Sequence, residues 1–286
     1  MITPWLDRSG RLSPFKTLVF GALFVPAAWT GLAYVMGELG PRPINAATHE
    51  IGLWTIRLLF TSLAITPVRQ ILQWPHLVLV RRMIGVATFF YASLHLCIYV
   101  MDQAFDLEKV VSEIALRFYL TLGFTALLML TALAATSTDG AVRWLGGKRW
   151  RRLHQLVYVV GVLALIHFFY QSKVNVDEAM WMSGLFAWLM GYRVMAWLCG
   201  NKSHVPLWAL FVLALASTLA MALGEASYYW IKLDVDPMRV LDANFTFMIG
   251  IRPSWITLSA GTLAALIGAI RAYFAQRPVR PRLQPA

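Results

Sequence analysis

Charge is what this sequence has least of. Only 14% of its 286 residues are Asp, Glu, Lys or Arg, while 59% are hydrophobic and the mean hydropathy is +0.61. A soluble domain carries nearly twice that share of charge. A water-soluble enzyme is therefore excluded, and the long apolar runs predict an all-α, polytopic transmembrane helix bundle. Acids are scarcer than bases, 14 against 25. The +11 surplus sits in loops flanking the apolar runs, the pattern that encodes membrane orientation, so nucleic acid is not the expected partner. Cysteine is almost missing: Cys97 and Cys199 lie near the ends of different runs, on opposite sides in the expected topology, and imply no disulfide framework. The chain has no G-x-G-x-x-G turn and no room for a dinucleotide-binding fold after its last apolar run. A short signal peptide with a small-residue cleavage site is also missing, so the N-terminus is expected to stay attached.

The apolar runs predict about eight spans. After a basic N-terminal tail, residues 1–16, the first runs from about Thr17 to Met36 and is interrupted by Pro26; the second, about Ala47 to Thr66, carries His49, Glu50 and Arg57 and is expected to stop at Pro67. The third, about Met83 to Met101, begins at Arg81 and Arg82 and carries His95. An acidic loop precedes the fourth, about Ala115 to Ala135. A basic loop with Arg143, Lys148, Arg149, Arg151 and Arg152 leads into the fifth, which ends near Gln171. A sixth covers about Met180 to Cys199. Residues 200–286 form a C-terminal extension with two simpler spans, about Pro206 to Gly224 and Ser254 to Tyr273, joined by a partly ordered interfacial loop, and a basic tail. With both termini in the cytoplasm, most of the 25 Lys and Arg fall on the cytoplasmic side, as short loops require.

The stretch KRWRRLHQLVYVVGVLALIHFFYQ, residues 148–171, organises the rest. It runs a basic block into an apolar helix with a histidine near each end, His154 and His167. Imidazole in hydrocarbon has lost its water partners and must bond to protein, face a cavity or bind a metal. The third and fifth spans both run outward from a basic pair. His95, thirteen residues beyond Arg82, and His167, fifteen beyond Arg152, then lie roughly 20 and 22 Å into the bilayer. Two imidazoles from separate helices at one depth can supply both axial ligands of a haem. His154 sits ~20 Å below His167 on the same helix, a workable spacing for a second centre, although an ideal straight helix leaves the two side chains ~140° apart. No second ligand for an inner site is evident, since Arg81 and Arg82 occupy that depth on the third span.

His49 is an alternative outer ligand, a proton carrier for quinone chemistry, or simply a hydrogen-bonded bundle residue. The last reading applies more strongly to His76 and His204. Arg57 either forms an ion pair with Glu50 two turns away, bridged by other groups, or pairs with a haem propionate.

The segments HEIGLWTIRLLFTSLAITPVR, RRMIGVATFFYASLHLCIY, RFYLTLGF and TSTDGAVRWLGGKRWRRLHQLVYVVGVLALIHFFY together resemble the MsrQ (YedZ) family. These are haem-binding membrane subunits of periplasmic methionine sulfoxide reductase systems and belong with the ferric reductase-like transmembrane proteins. The resemblance covers roughly residues 15–195. It implies b-type haem, one or two, held by His95, His154 and His167, with His49 at the matching second-helix position. It also implies a molybdopterin-containing periplasmic reductase as partner, electrons from the quinone pool or a flavin reductase, and flavin mononucleotide association. Members typically end soon after the sixth span, so residues 200–286 lie outside it.

The expectation is an inner-membrane cytochrome b that conducts electrons outward rather than reducing the final substrate itself. The basic loop at 143–152 docks an acidic flavoprotein or, more simply, contacts anionic lipid headgroups. Two other readings stay open: a transmembrane ferric or quinone reductase with another acceptor, and a haem-free transporter whose histidines carry protons or metal ions.

Overall fold

A computed structural model describes residues 4–7, 9–172, 176–200, 205–246 and 250–275; His204, Arg8 and the tail beyond 275 lie outside the described residues. The described residues form twelve α-helices and one 3-10 turn, with a single bridge, Leu6 to Leu12, in place of any strand. In chain order they are α1 (Pro14–Ala22), α2 (Val25–Val35), α3 (Pro43–Ile71), α4 (Val78–Asp102), α5 (Leu107–Leu116) and α6 (Phe118–Ala135). There follow α7 (Asp139–His154), α8 (Leu156–Ser172), α9 (Asp177–Leu198), α10 (Leu207–Leu233), α11 (Pro237–Phe245) and α12 (Pro253–Ala275). Seven helical stretches among the described residues are long and apolar enough to cross a membrane, in line with the bundle of about eight spans that the composition predicts. The expected sixth span, α9, is long enough at 22 residues, but three Trp, Tyr192 and Arg193 dilute its apolar run.

The first span is broken where Pro26 enters. Proline brings no N–H and its ring crowds the preceding turn, and the Tyr91 hydroxyl of α4 repairs the gap. It donates to the Leu23 carbonyl at 2.6 Å and accepts the Ala27 N–H at 3.1 Å, taking the place of the lost Leu23–Ala27 turn.

Several expected boundaries move. α3 does not stop at Pro67 but continues through it to Ile71, because a proline inside a bundle helix is tolerated when its surroundings re-satisfy the freed carbonyl. The acidic loop holds α5, started by Asp106, whose carboxylate accepts the Lys109 N–H at 2.9 Å. The basic loop is helical as well. Thr138 caps α7 by accepting the Ala141 N–H at 3.1 Å, and Gly146, at φ +73°, supplies the one bend that a β-carbon would strain. The single helix expected over 148–171 is in fact two, parted at Gln155, so the straight-helix angle between His154 and His167 does not apply. Residues 225–253 are not mainly loop: α10 runs on to Leu233, and α11 follows it.

The chain packs as two compact units, residues 1–65 with 76–179, and residues 66–75 with 180–286. The division falls near Ala179 rather than at the expected 199/200, so most of α9 groups with the C-terminal helices. In the first unit Ile51, Leu58 and Ile65 of α3, seven residues apart, meet Val80, Ile84 and Tyr91 of α4 in one buried seam, with Phe15, Val19 and Leu23 against it. That repeat keeps one face of each helix on the other.

In the second unit small residues let helices close up. A β-carbon on Gly261 of α12 would stand 2.6 Å from that of Ala214 on α10, and one on Gly184 of α9 would stand 2.4 Å from the Thr257 hydroxyl. The two last spans are less simple than their sequence suggests. Glu225 of α10 is fully buried, paired with Arg252 and accepting the Asn244 side-chain N–H at 2.8 Å, while Ser254 donates to the Asn244 carbonyl at 2.9 Å. The buried charge is held by partners from α11 and the start of α12, as burial demands.

Candidate functional site

The first unit contains a cavity of about 420 Å³ lined by residues of α3, α4, α5, α6 and α8, including His49, His95 and His167. That size is ordinary for a small-molecule or cofactor site. His95 and His167 project from α4 and α8 with ring centroids 6.3 Å apart and planes at 87°. The matching depths counted from the basic pairs thus bring the two imidazoles together.

Each ring is fixed by the same device. Nδ1 of His95 donates to the Thr48 carbonyl at 2.8 Å, and Nδ1 of His167 donates to the Tyr119 carbonyl at 2.8 Å. A carbonyl only accepts, so Nδ1 carries the proton on both rings and Nε2 is left with its lone pair. One helical turn after each carbonyl stands a glycine, Gly52 on α3 and Gly123 on α6. A β-carbon on Gly52 would sit 2.8 Å from Cε1 of His95, and one on Gly123 would sit 2.9 Å from Cε1 of His167. The segments THEIG and YLTLG therefore do one job twice: a carbonyl orients an imidazole, and a missing side chain four residues on makes room for it. Neither glycine nor carbonyl is singled out by residue chemistry in the sequence. The recoverable signal is a glycine 43 or 44 residues before an intramembrane histidine on a different helix.

The other expected residues are placed differently. His49, on the same turn of α3 as Thr48, lines the cavity. His154 ends α7 outside it, stacked on Trp150 with centroids 3.8 Å apart and with Nε2 3.2 Å from the Thr136 hydroxyl. That hydroxyl already donates to the Ala132 carbonyl at 2.7 Å, so His154 Nε2 is the donor. Trp150 in turn donates its indole N–H to the Thr136 carbonyl at 2.9 Å. His76 is exposed in the 3-10 turn between α3 and α4. The expected pair of Arg57 with Glu50 is not formed. Arg57 pairs with Glu178 at 2.6 Å and lies over the Trp54 ring at 5.0 Å, because the first turn of α9 brings a carboxylate closer than Glu50 stands two helical turns away. Arg57 does not line the cavity; the cations that do are Lys109 and Arg117, neither of which the sequence reading singled out.

Residues 51–166 match the ferric reductase like transmembrane component family. Curated relatives cover more. The chain is 42% identical over 189 residues to the protein-methionine-sulfoxide reductase heme-binding subunit MsrQ of Rhodospirillum rubrum, 66% of this chain and 88% of that one. The like-named proteins of Polaromonas naphthalenivorans and Herminiimonas arsenicoxydans are 40% and 36% identical over 182 and 198 residues, covering 83% and 91% of their lengths. The chain belongs to the MsrQ family. No solved structure matches it.

The name MsrQ carries a haem, and the cavity fits one on three counts. Two metal–imidazole bonds of ~2 Å and half the depth of each ring add to roughly 6 Å, close to the observed 6.3 Å separation of the centroids. Both imidazoles have their non-ligating nitrogen fixed by a backbone carbonyl, the usual support of a metal-bound histidine. The inner walls, with Leu59, Leu96, Phe124, Leu130, Val160 and Phe168, are apolar as a macrocycle requires. Among the described residues no group of three His, Cys, Asp or Glu stands close enough to hold a metal ion by itself.

Proposed function

We propose that this chain is a b-type cytochrome of the bacterial inner membrane, with both termini in the cytoplasm, that passes electrons to a periplasmic molybdopterin-containing methionine sulfoxide reductase. One observation carries the reading: His95 and His167, on different helices, face one cavity with Nδ1 committed to carbonyls and Nε2 open. Bound haem b supplies a one-electron iron couple. His95 and His167 would hold it through Nε2, Thr48 and Tyr119 keep those rings in register, and Gly52 and Gly123 keep the approach free. His49 stands on the cavity wall without being needed as a ligand. The α5 end of the cavity is periplasmic, because the basic residues of α7 and the Arg81–Arg82 pair belong to the opposite end. The reductant is membrane quinol or a separate flavin reductase.

The test is a reduced-minus-oxidised spectrum with pyridine haemochrome quantification on the purified full-length protein. A b-type spectrum is expected, lost in His95→Ala and in His167→Ala. A protein made with ample haem that shows no such spectrum overturns the reading and leaves the transporter alternative. The same count decides the inner end: a second haem equivalent that disappears in His154→Ala places a ligand there, and a ratio of one, unchanged in that variant, leaves His154 to Trp150 and Thr136.

A further inference from the structure

The cavity's polar residues gather at its α5 end, where Asp102, Gln103, Lys109, Glu113, Arg117 and Tyr119 line it. A cofactor carried on an apolar macrocycle with two carboxylates needs two cations and a hydrophobic slot, and burying a carboxylate without a partner is costly. Lys109 and Arg117 are the cations on this wall. Arg57, the candidate from sequence, does not line the cavity.

The two cations differ in what already holds them. Arg117 makes a forked pair with Glu113, Nε to Oε2 at 2.5 Å and Nη2 to Oε1 at 2.8 Å, and Nη1 donates to the Tyr119 hydroxyl at 3.2 Å. Lys109 is fixed only through its backbone: its N–H caps onto Asp106 at 2.9 Å. Arg117 has a further connection, since Tyr119, which accepts its side chain, also gives the carbonyl that orients His167. Position 117 and the axial ring are thus coupled through one residue.

Resting on the haem reading above, we infer that Lys109 and Arg117 at the α5–α6 junction bind the two haem carboxylates, with Glu113 as the internal carboxylate they compete against. The macrocycle is thereby oriented with its acidic edge toward α5 and the periplasmic mouth. A carboxylate at Arg117 meets a planar donor fork that Glu113 now holds and must share or displace it, and one at Lys109 meets a point charge on the first turn of α5.

The experiment is a haem titration, followed by Soret absorbance, into full-length haem-depleted protein in detergent. Wild type, Lys109→Gln, Arg117→Gln and the double variant are each titrated with haem and with haem dimethyl ester, whose carboxylates are blocked. Each single variant is expected to weaken haem binding about tenfold, the scale of one charge-assisted hydrogen bond, and the double variant by more. The ester is expected to bind wild type as weakly as haem binds the double variant, and the double variant to bind both alike. Arg117→Lys, which keeps the charge, recovers most of the loss.

Wild type that binds haem and ester equally overturns the assignment, and so does a double variant that still prefers the free acid. The first comparison uses wild type alone and needs no variant to fold. Wild type that takes up neither form, with ample haem present, overturns the haem reading and this inference together, a result distinct from either of the others.

Discussion

His167 and His154 leave the same run of chain and meet opposite treatment. His167 donates from Nδ1 to a carbonyl and keeps Nε2 open toward a cavity. His154 donates from Nε2 to a hydroxyl and lies flat against an indole 3.8 Å away. His167 lies in the apolar α8 and His154 ends the basic α7, and each ring makes a hydrogen bond. The two rings differ in which nitrogen the protein has used, and in whether the neighbouring helix carries a glycine where the ring must pass.

The sharpest break of that contrast is deletion at each end. His95→Ala and His167→Ala should each abolish the b-type spectrum, whereas His154→Ala should leave the spectrum of the outer pair in place, read on equal amounts of purified protein. Adding one methyl group comes next. Gly52→Ala and Gly123→Ala place a β-carbon under 3 Å from a fixed imidazole, so bound haem should fall several-fold. The clash is with the imidazole itself, so the haem-free variants should also melt lower than wild type, the ~1 kcal/mol by which Ala favours helix over Gly offsetting only part of the loss. Haem content and apo stability both equal to wild type would refute the close-approach explanation.

Smaller effects belong to the inner end. Trp150→Ala removes a stacked ring and an indole hydrogen bond, together about 1–2 kcal/mol, and should lower the melting temperature while the outer spectrum stays unchanged. Smallest is Asp139→Asn. Its pair with Arg82 is 2.6 Å long, but both side chains are nearly half exposed, 45% and 48%, so the change should be under ~1 kcal/mol and vanish in high salt.

The meeting of His95 with His167 was legible because depth in a bilayer is a count of residues from a basic anchor, and both anchors, Arg82 and Arg152, precede their histidines in sequence. The polytopic class followed from hydropathy for the same kind of reason: it is a sum over many residues. What stayed hidden was set by single contacts across long separations. Glu178, 121 residues from Arg57, outcompetes Glu50 on Arg57's own helix. The Thr48 and Tyr119 carbonyls are backbone atoms that any residue would supply, so their role leaves no compositional trace. The break at Gln155, where Gln155 N–H bonds back to Arg152 and Tyr158 N–H to Gln155, and the continuation of α3 through Pro67 are local backbone choices that hydropathy does not encode.

Glu225 is hidden for a similar reason. An acid in an apolar stretch reads as the end of a span, and only the fold shows Arg252 and Asn244 arriving from beyond the next turn to keep it inside the unit.

The doubled carbonyl-and-glycine device places the His95 and His167 rings on separate helix pairs, α3 with α4 and α6 with α8, roughly 70 residues of chain apart. A cofactor gripped from both sides is then a cross-link as well as a conductor. Closing a loop of that length by a covalent bridge is worth on the order of 4 kcal/mol, and a coordinate bridge draws on the same chain entropy. Cofactor loading would then fasten the two hairpins to each other, and loss of the metal would set them free to part.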